Sequence, residues 1–373
     1  DPEGRKCTVV DYEGKYLYIR DDATLRSFCP GGGPVATEVA SKSARFYPER
    51  TELRASLDGI HALQRIFVPA EFCVEVSTLT LENRSDEPRD LSVFAFAKFG
   101  IGPRLCARPE PDAGGVFAWS YNSAGPDPFQ RGFLGFQSGC HAATAHRDAF
   151  LRAEYSPATP RILWEREIVE RGGYDFEAIG AVQAKVRLEP GETKRLDVLL
   201  GQAESVDAVR ALREELTPER IDARCHEQEQ AERQRAEGFT IEIGHPDLEA
   251  LLNHFAKKQL YAYLMAKSGF RDNLQLAQAI ALVDLPLAHS VLEKALASQH
   301  PEGWAPACFR PLKNSKRADK PAWILSVVPS LVKESGDPAW LERELPFQGG
   351  GEKGSVWEHL LRAMRYLAGD TGP

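Results

Sequence analysis

The chain has 373 residues, 43% hydrophobic and 27% charged, which is the composition of a soluble globular protein with room for more than one domain. Its 46 Lys and Arg residues are outnumbered by 54 Asp and Glu residues, and a formal net charge of −8 argues against nucleic acid as a partner. No stretch approaches the run of about 18 apolar residues that a membrane span requires, so we expect no membrane partner.

The first half of the chain alternates with the period of two that is typical of half-buried strands. Residues 15–20, 74–81 and 91–99 are rich in β-branched and aromatic side chains, and the turn cluster "NRSDEP" separates the last two of them. Alternation resumes over 182–200 on both sides of "EPGE", which we interpret as a hairpin turn. Strands without interleaved helices predict antiparallel sheets, and we expect a β-sandwich over residues 1–202.

Residues 203–240 are dense in charge and have the composition of a helix. We expect a helical linker that lies across a surface and takes no part in a core.

From His245 onward the apolar residues recur with a helical period. A first helix has Pro246 in its first turn and an apolar stripe of Leu248, Leu251, Leu252, Phe255 and Leu260. Further helices are predicted over 286–299 and 321–336, the latter interrupted by Pro329, and a last one opens with the capping box of Ser355 and Glu358. We count about six helix candidates, which favours an array of α/α hairpins over residues 241–373.

The cysteines and the first residues indicate the compartment. Seven cysteines are scattered without CxxC or Cys/His spacing, which predicts free thiols and no metal site. The opening "DPEGRKCTVV" has no charged leader followed by an apolar core, so we expect a cytoplasmic protein without a signal peptide.

No P-loop, GxGxxG, GxSxG or HExxH motif is present. Several segments nevertheless follow the order and approximate spacing of one family: "LEPGETKRLDVLLGQA", "SGFRDNLQ", "QHPEGW", "ADKPAW" and "ESGD". They resemble glycoside hydrolase family 94, the inverting β-glucoside phosphorylases. This family includes cellobiose and chitobiose phosphorylases and the phosphorylase-like module of cyclic β-1,2-glucan synthases.

The resemblance implies a fold and a reaction. The fold is an N-terminal antiparallel β-sandwich (a supersandwich), a helical linker and an (α/α)6-type barrel that is incomplete in this chain. Phosphate, the co-substrate, attacks the anomeric carbon of a β-glucoside or β-glucan while an Asp protonates the leaving oxygen, and no metal or organic cofactor takes part. Family members are commonly homodimers. The general acid is expected beyond residue 373, so no catalytic residue is assigned within the chain.

The resemblance also indicates substrate-binding residues. The "GFRDxLQ" pattern places Arg271 and Asp272 at the glucosyl subsite, and Gln275, Phe309 and Asp319 are the other candidates. Without the resemblance, Arg271 and Asp272 read as an ordinary ion pair at a helix start. Asp319 also reads as a loop acid, and Phe309, like Trp304, as a packed aromatic.

Three departures from the family pattern leave other functions open. Leu276 replaces an acid, Asp319–Lys320 replaces a pair of acids, and residues 307–310 replace polar and indole groups. One alternative is therefore a non-catalytic glucan-binding or assembly module of the same fold. Another is an inverting glycoside hydrolase, which needs two carboxyl groups about 6.5–9.5 Å apart.

Overall fold

A computed structural model describes most of the chain and divides it into two units, Asp1–Gln230 and Ala231–Pro373. The described residues are 14–102, 104–121, 131–152, 156–165, 167–237, 239–266, 269–309, 312–316 and 319–369.

The first unit contains a sandwich of two antiparallel sheets, as the alternating patterns predicted. The smaller sheet has the order β11-β13-β7-β1-β2 and the larger one the order β12-β8-β9-β10-β14-β6-β5-β4-β3. The strands are β1 (Lys15–Asp21), β2 (Ser27–Phe28), β3 (Ser41–Phe46), β4 (Thr51–Leu57), β5 (Ile60–Phe67), β6 (Val74–Asn83), β7 (Arg89–Ala97), β8 (Leu105–Glu110), β9 (Gly115–Ser120), β10 (Arg131–Phe136), β11 (Ala142–His146), β12 (Gly173–Tyr174), β13 (Ala178–Leu188) and β14 (Thr193–Gly201).

Both faces of the smaller sheet are buried. In β7, Val93 and Ala95 point into the core between the sheets, while Phe94 and Phe96 point the other way. The outward face is covered by helix α1 (Arg147–Phe150) and the segment that follows, which contributes Phe150 among other apolar side chains. Successive strand residues point to opposite faces, so a strand buried on both sides carries apolar residues at nearly every position.

Helices α2 (Val206–Glu215) and α3 (Pro218–Glu237) cover part of the larger sheet. Val209, Leu216 and Ile221 are buried in one cluster with apolar side chains of that sheet. The prediction that this segment takes no part in a core is wrong for the side of the helices that faces the larger sheet. Charge dominates the composition of the segment, but a narrow apolar stripe is enough to bury one side of a helix.

The turns after β6 and β13 cross from one sheet to the other. β6 and β14 pair within the larger sheet, whereas β7 and β13 pair within the smaller one. The predicted hairpin across "EPGE" is therefore wrong, because β13 and β14 belong to different sheets. Asn83 joins the two turns: its backbone N–H donates to Glu192 O at 3.0 Å, and its carbonyl accepts from Gly191 N at 2.7 Å.

The second unit is helical, so the predicted order of sandwich followed by helices is confirmed. Helix α6 packs against α5, α7 and α8, and α8 also packs against α9. The apolar core includes Phe270, Leu274, Leu292, Ile324 and Leu331. The helices are α4 (Pro246–Ala250), which continues through a π-helical turn (Leu251–Ala256) into α5 (Lys257–Ala266), then α6 (Phe270–Ile280), α7 (Leu285–Leu296), α8 (Asp319–Ser335) and α9 (Val356–Gly369).

Three local predictions about these helices need correction. Helix α8 runs through Pro329 without a break, since the buried apolar side chains on both sides of the proline hold the helix in place. The predicted capping box is only half formed: Ser355 Oγ accepts from Glu358 N at 3.2 Å, but the Glu358 carboxylate binds Arg362. Only Leu260 of the predicted apolar stripe packs against the core, because Leu248, Leu251, Leu252 and Phe255 are all exposed.

Candidate functional site

Helix α6 begins where the sequence predicted sugar-binding residues. Phe270 at the start of the helix is fully buried, so it anchors this end in the core. Asn273 Nδ2 donates to Gly269 O at 2.7 Å and fixes the preceding turn. Arg271 is exposed and Asp272 is half-buried in the same first turn. The two polar side chains therefore sit on a rigid support at the helix terminus.

Arg271 reaches the start of a second helix. Its Nη1 atom lies 3.4 Å from Asp319 Oδ2 at the first residue of α8, and both side chains are about half exposed. An exposed pair at this distance contributes about 0–1 kcal/mol to stability, so the contact is weak enough to open for a ligand. It shows that two residues 48 positions apart are neighbours.

The Asp272 carboxylate folds back over the backbone of Gly269. A Cβ atom built on Gly269 would lie 2.3 Å from Asp272 Oδ2, closer than any real contact. Any other residue at position 269 would therefore displace this carboxylate. The glycine of the "GFRD" pattern therefore leaves room for the Asp272 carboxylate, while its backbone φ of −71° is open to every residue type.

Phe309 lies beside the same helix start. It belongs to a short hairpin of β15 (Cys308–Phe309) and β16 (Leu312–Lys313). Phe270 N donates to Ala307 O at 3.0 Å, and Gly269 and Cys308 form an antiparallel bridge. The Phe309 and Phe270 rings are 5.9 Å apart and tilted by 56°, a favourable aromatic contact. Phe309 remains half-buried, so part of its ring is accessible.

The structure thus brings together four of the five predicted substrate-binding residues: Arg271, Asp272, Phe309 and Asp319. The fifth, Gln275, is exposed four positions after Arg271, which places both side chains on the same face of α6. Lys320, which the sequence did not indicate as a site residue, is 5% exposed and donates to Ser315 Oγ at 3.1 Å. Apart from its position beside Asp319, nothing in the sequence indicates that the Lys320 ammonium group is buried.

Trp304 and Glu302, in the "QHPEGW" segment, have surroundings that differ from those of the predicted sugar-binding residues. Trp304 is 8% exposed and stacks on His300 with ring centroids 3.5 Å apart, so its face is occupied by protein and offers no platform to a sugar. Glu302 is exposed in the turn before it. We assign Trp304 to packing and Glu302 to a turn.

Behind this turn lies a buried polar cluster of Gln299 and His359, which the sequence did not predict. Gln299 Nε2 donates to Gly303 O at 2.9 Å and to His359 O at 3.1 Å. Its Oε1 lies 2.7 Å from His359 Nδ1, and His359 Nε2 lies 3.4 Å from Leu345 O. Burial lowers the pKa of His359 to about 4, so the ring is neutral at neutral pH.

Among the described residues no group of three or more His, Cys, Asp or Glu side chains could hold a metal ion. Within the same residues, no helix combines the length and apolar character needed to cross a bilayer.

Comparison with known proteins gives a consistent result. A family profile described as the supersandwich domain of glycosyl hydrolase 94 matches residues 4–218. Over its whole length the chain is 29% identical to a solabiose phosphorylase of Paenibacillus borealis, covering 50% of that protein. A 3-O-beta-D-glucopyranosyl-beta-D-glucuronide phosphorylase of the same organism is 26% identical over 96% of the chain and 49% of its own length.

A solved structure agrees at the level of fold. A bacterial glucoamylase crystallised with acarbose superposes on 95% of the chain and 60% of its own, with a TM-score of 0.52 and 10% identity. At such low identity the match supports the fold alone. The chain spans about half the length of the two phosphorylases.

Proposed function

Because the chain belongs to glycosyl hydrolase family 94, we propose that it is part of a phosphorylase that cleaves β-linked glucosides with inorganic phosphate. The reaction would invert the anomeric centre and release α-glucose 1-phosphate together with a shortened acceptor. The similar proteins named above are phosphorylases, which supports phosphorolysis in general. The linkage and the acceptor stay open.

The observation that carries this proposal is the meeting of two helix starts at one polar site. Arg271 on α6 and Asp319 on α8 lie within 3.4 Å of each other, and Asp272 and Phe309 flank the same helix start. Carboxylate and guanidinium groups bind sugar hydroxyls through charge-assisted hydrogen bonds, each worth about 1.5–3 kcal/mol. In the proposed complex Arg271 and Asp272 hold the nonreducing-end glucosyl unit, with Gln275, Phe309 and Asp319 around it.

The chemistry needs one acid and no base. A phosphate oxygen forms the new bond to the anomeric carbon as the glycosidic C–O bond breaks, and an Asp gives its proton to the leaving oxygen. Water would need a general base, but phosphate is already an anion. We propose that the acid comes from the remainder of the full-length protein, because the family resemblance places it after the helices seen here.

The exposed apolar stripe of α4 and the π-helical turn after it supports an incomplete barrel. Leu251 is 50% exposed and Phe255 42%, and a soluble protein seldom leaves such a row of large apolar side chains uncovered. We propose that residues 241–373 are the first part of an (α/α)6 barrel and that later helices cover this stripe. A sandwich over 1–202 and a linker over 203–240 complete the proposed domain organisation. A cytoplasmic homodimer is the proposed state.

Incubation of the full-length protein with β-linked disaccharides, with and without phosphate, tests the proposal. We expect glucose 1-phosphate from at least one disaccharide and no cleavage when phosphate is omitted. Cleavage that ignores phosphate would instead identify an inverting hydrolase.

A non-catalytic glucan-binding module is the second candidate, because one departure from the family pattern has a structural role. Leu276, which stands where the family has an acid, packs against the apolar core of the helical unit. That position therefore contributes to packing and not to ligand chemistry. Binding of β-glucans by the full-length protein without turnover under any condition would favour this candidate.

A further inference from the structure

We propose that Gln299, His359 and Arg362 are positioning residues, which hold the turn of residues 300–304 so that Phe309 is kept at a fixed distance from Arg271. This inference rests on the proposed sugar site, although the three residues themselves lie outside it. Their contacts connect helix α9 to the turn, and the turn to the start of α6.

The first connection is the buried pair of Gln299 and His359. Both side chains are fully buried, and the Gln299 amide bridges the carbonyls of Gly303 and His359. His359 is held on its other side by Phe347, whose ring stacks on the imidazole with centroids 3.9 Å apart. Gln299 can satisfy these partners in one orientation only, so it fixes where the turn lies relative to α9.

Arg362 makes the second connection, from the surface side. Its Nη1 donates to Pro301 O at 3.0 Å, while Nε and Nη2 bind the carboxylates of Glu358 and Glu352 at 2.9 and 2.6 Å. The two ion pairs hold the guanidinium group in one orientation, and in this orientation Nη1 points at the Pro301 carbonyl.

Gly303 allows the turn to lie this close to the helix. It has a φ of +97°, and a Cβ atom at this position would come within 2.1 Å of Arg362 O. The turn therefore rests directly on the backbone of α9. Only glycine combines this conformation with this close approach.

The turn is connected to the sugar site through the hairpin that follows it. His300 N donates to Trp304 O at 2.9 Å and closes the turn. Five residues after Trp304 comes Phe309, in a hairpin that is bonded to the start of α6 through Phe270 N and Ala307 O. A shift of the turn would therefore move Phe309 against Arg271, and errors of about 1 Å in a site of this kind can cost up to a hundredfold in rate.

Gln299→Met tests the inference, because methionine has a similar length and no hydrogen-bonding amide. The matched control is Glu293→Met, which removes the bonds of Glu293 to Trp340 Nε1 and Arg343 in the same helical unit, neither of which involves the turn. Arg362→Met probes the same turn from the surface if Gln299→Met does not fold. All variants are made in the full-length protein.

Two measurements separate positioning from stability. Hydrogen–deuterium exchange should rise across the backbone amides of residues 300–309 in Gln299→Met and stay unchanged there in Glu293→Met. The dissociation constant for methyl β-glucoside should rise about tenfold in Gln299→Met and less than about twofold in Glu293→Met.

Unchanged exchange at 300–309 in Gln299→Met would overturn the inference, whether or not any sugar binds. Equal losses of affinity in both variants would overturn it too, since a general loss of stability would then explain the effect. A wild-type protein that binds no methyl β-glucoside would contradict the proposed function, while the exchange data would still decide whether the turn is held by Gln299.

Discussion

At the start of helix α6, Gly269 makes room for the carboxylate of Asp272. The helix start alone would explain an acid in the first turn, because a negative charge there interacts favourably with the helix dipole. A carboxylate at this third helical position also reaches back toward the residue before the helix, which accounts for its approach to Gly269. The sugar-binding role of Asp272 is therefore proposed from the family resemblance and from the neighbouring Arg271–Asp319 pair.

Substitution of Asp272 by Ala separates these two roles. We expect glucoside affinity to fall by about tenfold or more, since a charge-assisted hydrogen bond is lost, while the melting temperature changes little. Asp247 lies in the first turn of α4 and provides the control, because Asp247→Ala removes the same dipole interaction without touching the site. Titration calorimetry and thermal unfolding measure the two effects. A large loss of stability with Asp272→Ala and unchanged affinity would support the capping role.

His359 predicts how stability depends on pH. Burial lowers its folded-state pKa to about 4, while Arg362 lowers it further and Glu358 and the Leu345 carbonyl oppose this. Between pH 6.5 and 4 the unfolded chain binds a proton that the folded protein does not, so stability falls as the pH decreases through this range. The loss is roughly 3 kcal/mol by pH 4, at about 1.4 kcal/mol per pKa unit. Urea unfolding of wild type and His359→Gln across this range measures it, and parallel pH profiles would contradict the assignment.

At the scale of elements, Asn83 joins the two sheet-crossing turns through its side chain as well as its backbone. Asn83 is fully buried; its Nδ2 donates to Glu87 O at 2.8 Å and to Leu188 O at 3.1 Å, and its Oδ1 accepts from Ser85. The "NRSDEP" cluster is therefore a structural turn, in which the Asn83 amide is wholly engaged within the protein.

Asn83→Ala should destabilise the first unit by about 1–3 kcal/mol, because it leaves buried carbonyls without their donor. Asn314 is exposed, and Asn314→Ala should change stability by less than about 0.5 kcal/mol. Chemical denaturation of both variants provides the comparison. Equal stability of the two variants would show that the turns hold together without Asn83.

The sequence predicted the positions of the strands better than it predicted which strands pair with each other. Alternating residues indicated β6, β7, β13 and β14, because the period of two is a local property of each strand. It could not show that the turns cross between sheets, since pairing depends on strands distant in sequence. The same limit applies to the site: the "GFRD" pattern identified Arg271 and Asp272, but Gln299 and His359 meet across 60 positions and share no local pattern.

At the scale of the whole molecule, the chain belongs to glycosyl hydrolase family 94 and contains its sandwich domain. The family profile covers the sandwich, and the similar phosphorylases are about twice as long as this chain. The exposed stripe on α4 and the π-helical turn supports the proposal that residues of a longer protein complete the sugar site. The proposed activity is therefore to be measured on the full-length protein.

Phosphorus NMR of the full-length protein with a β-linked glucosyl disaccharide and phosphate tests the central claim most directly. We predict that α-glucose 1-phosphate accumulates as inorganic phosphate is consumed, with the inverted anomeric configuration, and that Asp272→Ala greatly slows this conversion. Release of free glucose at the same rate with and without phosphate would contradict the account.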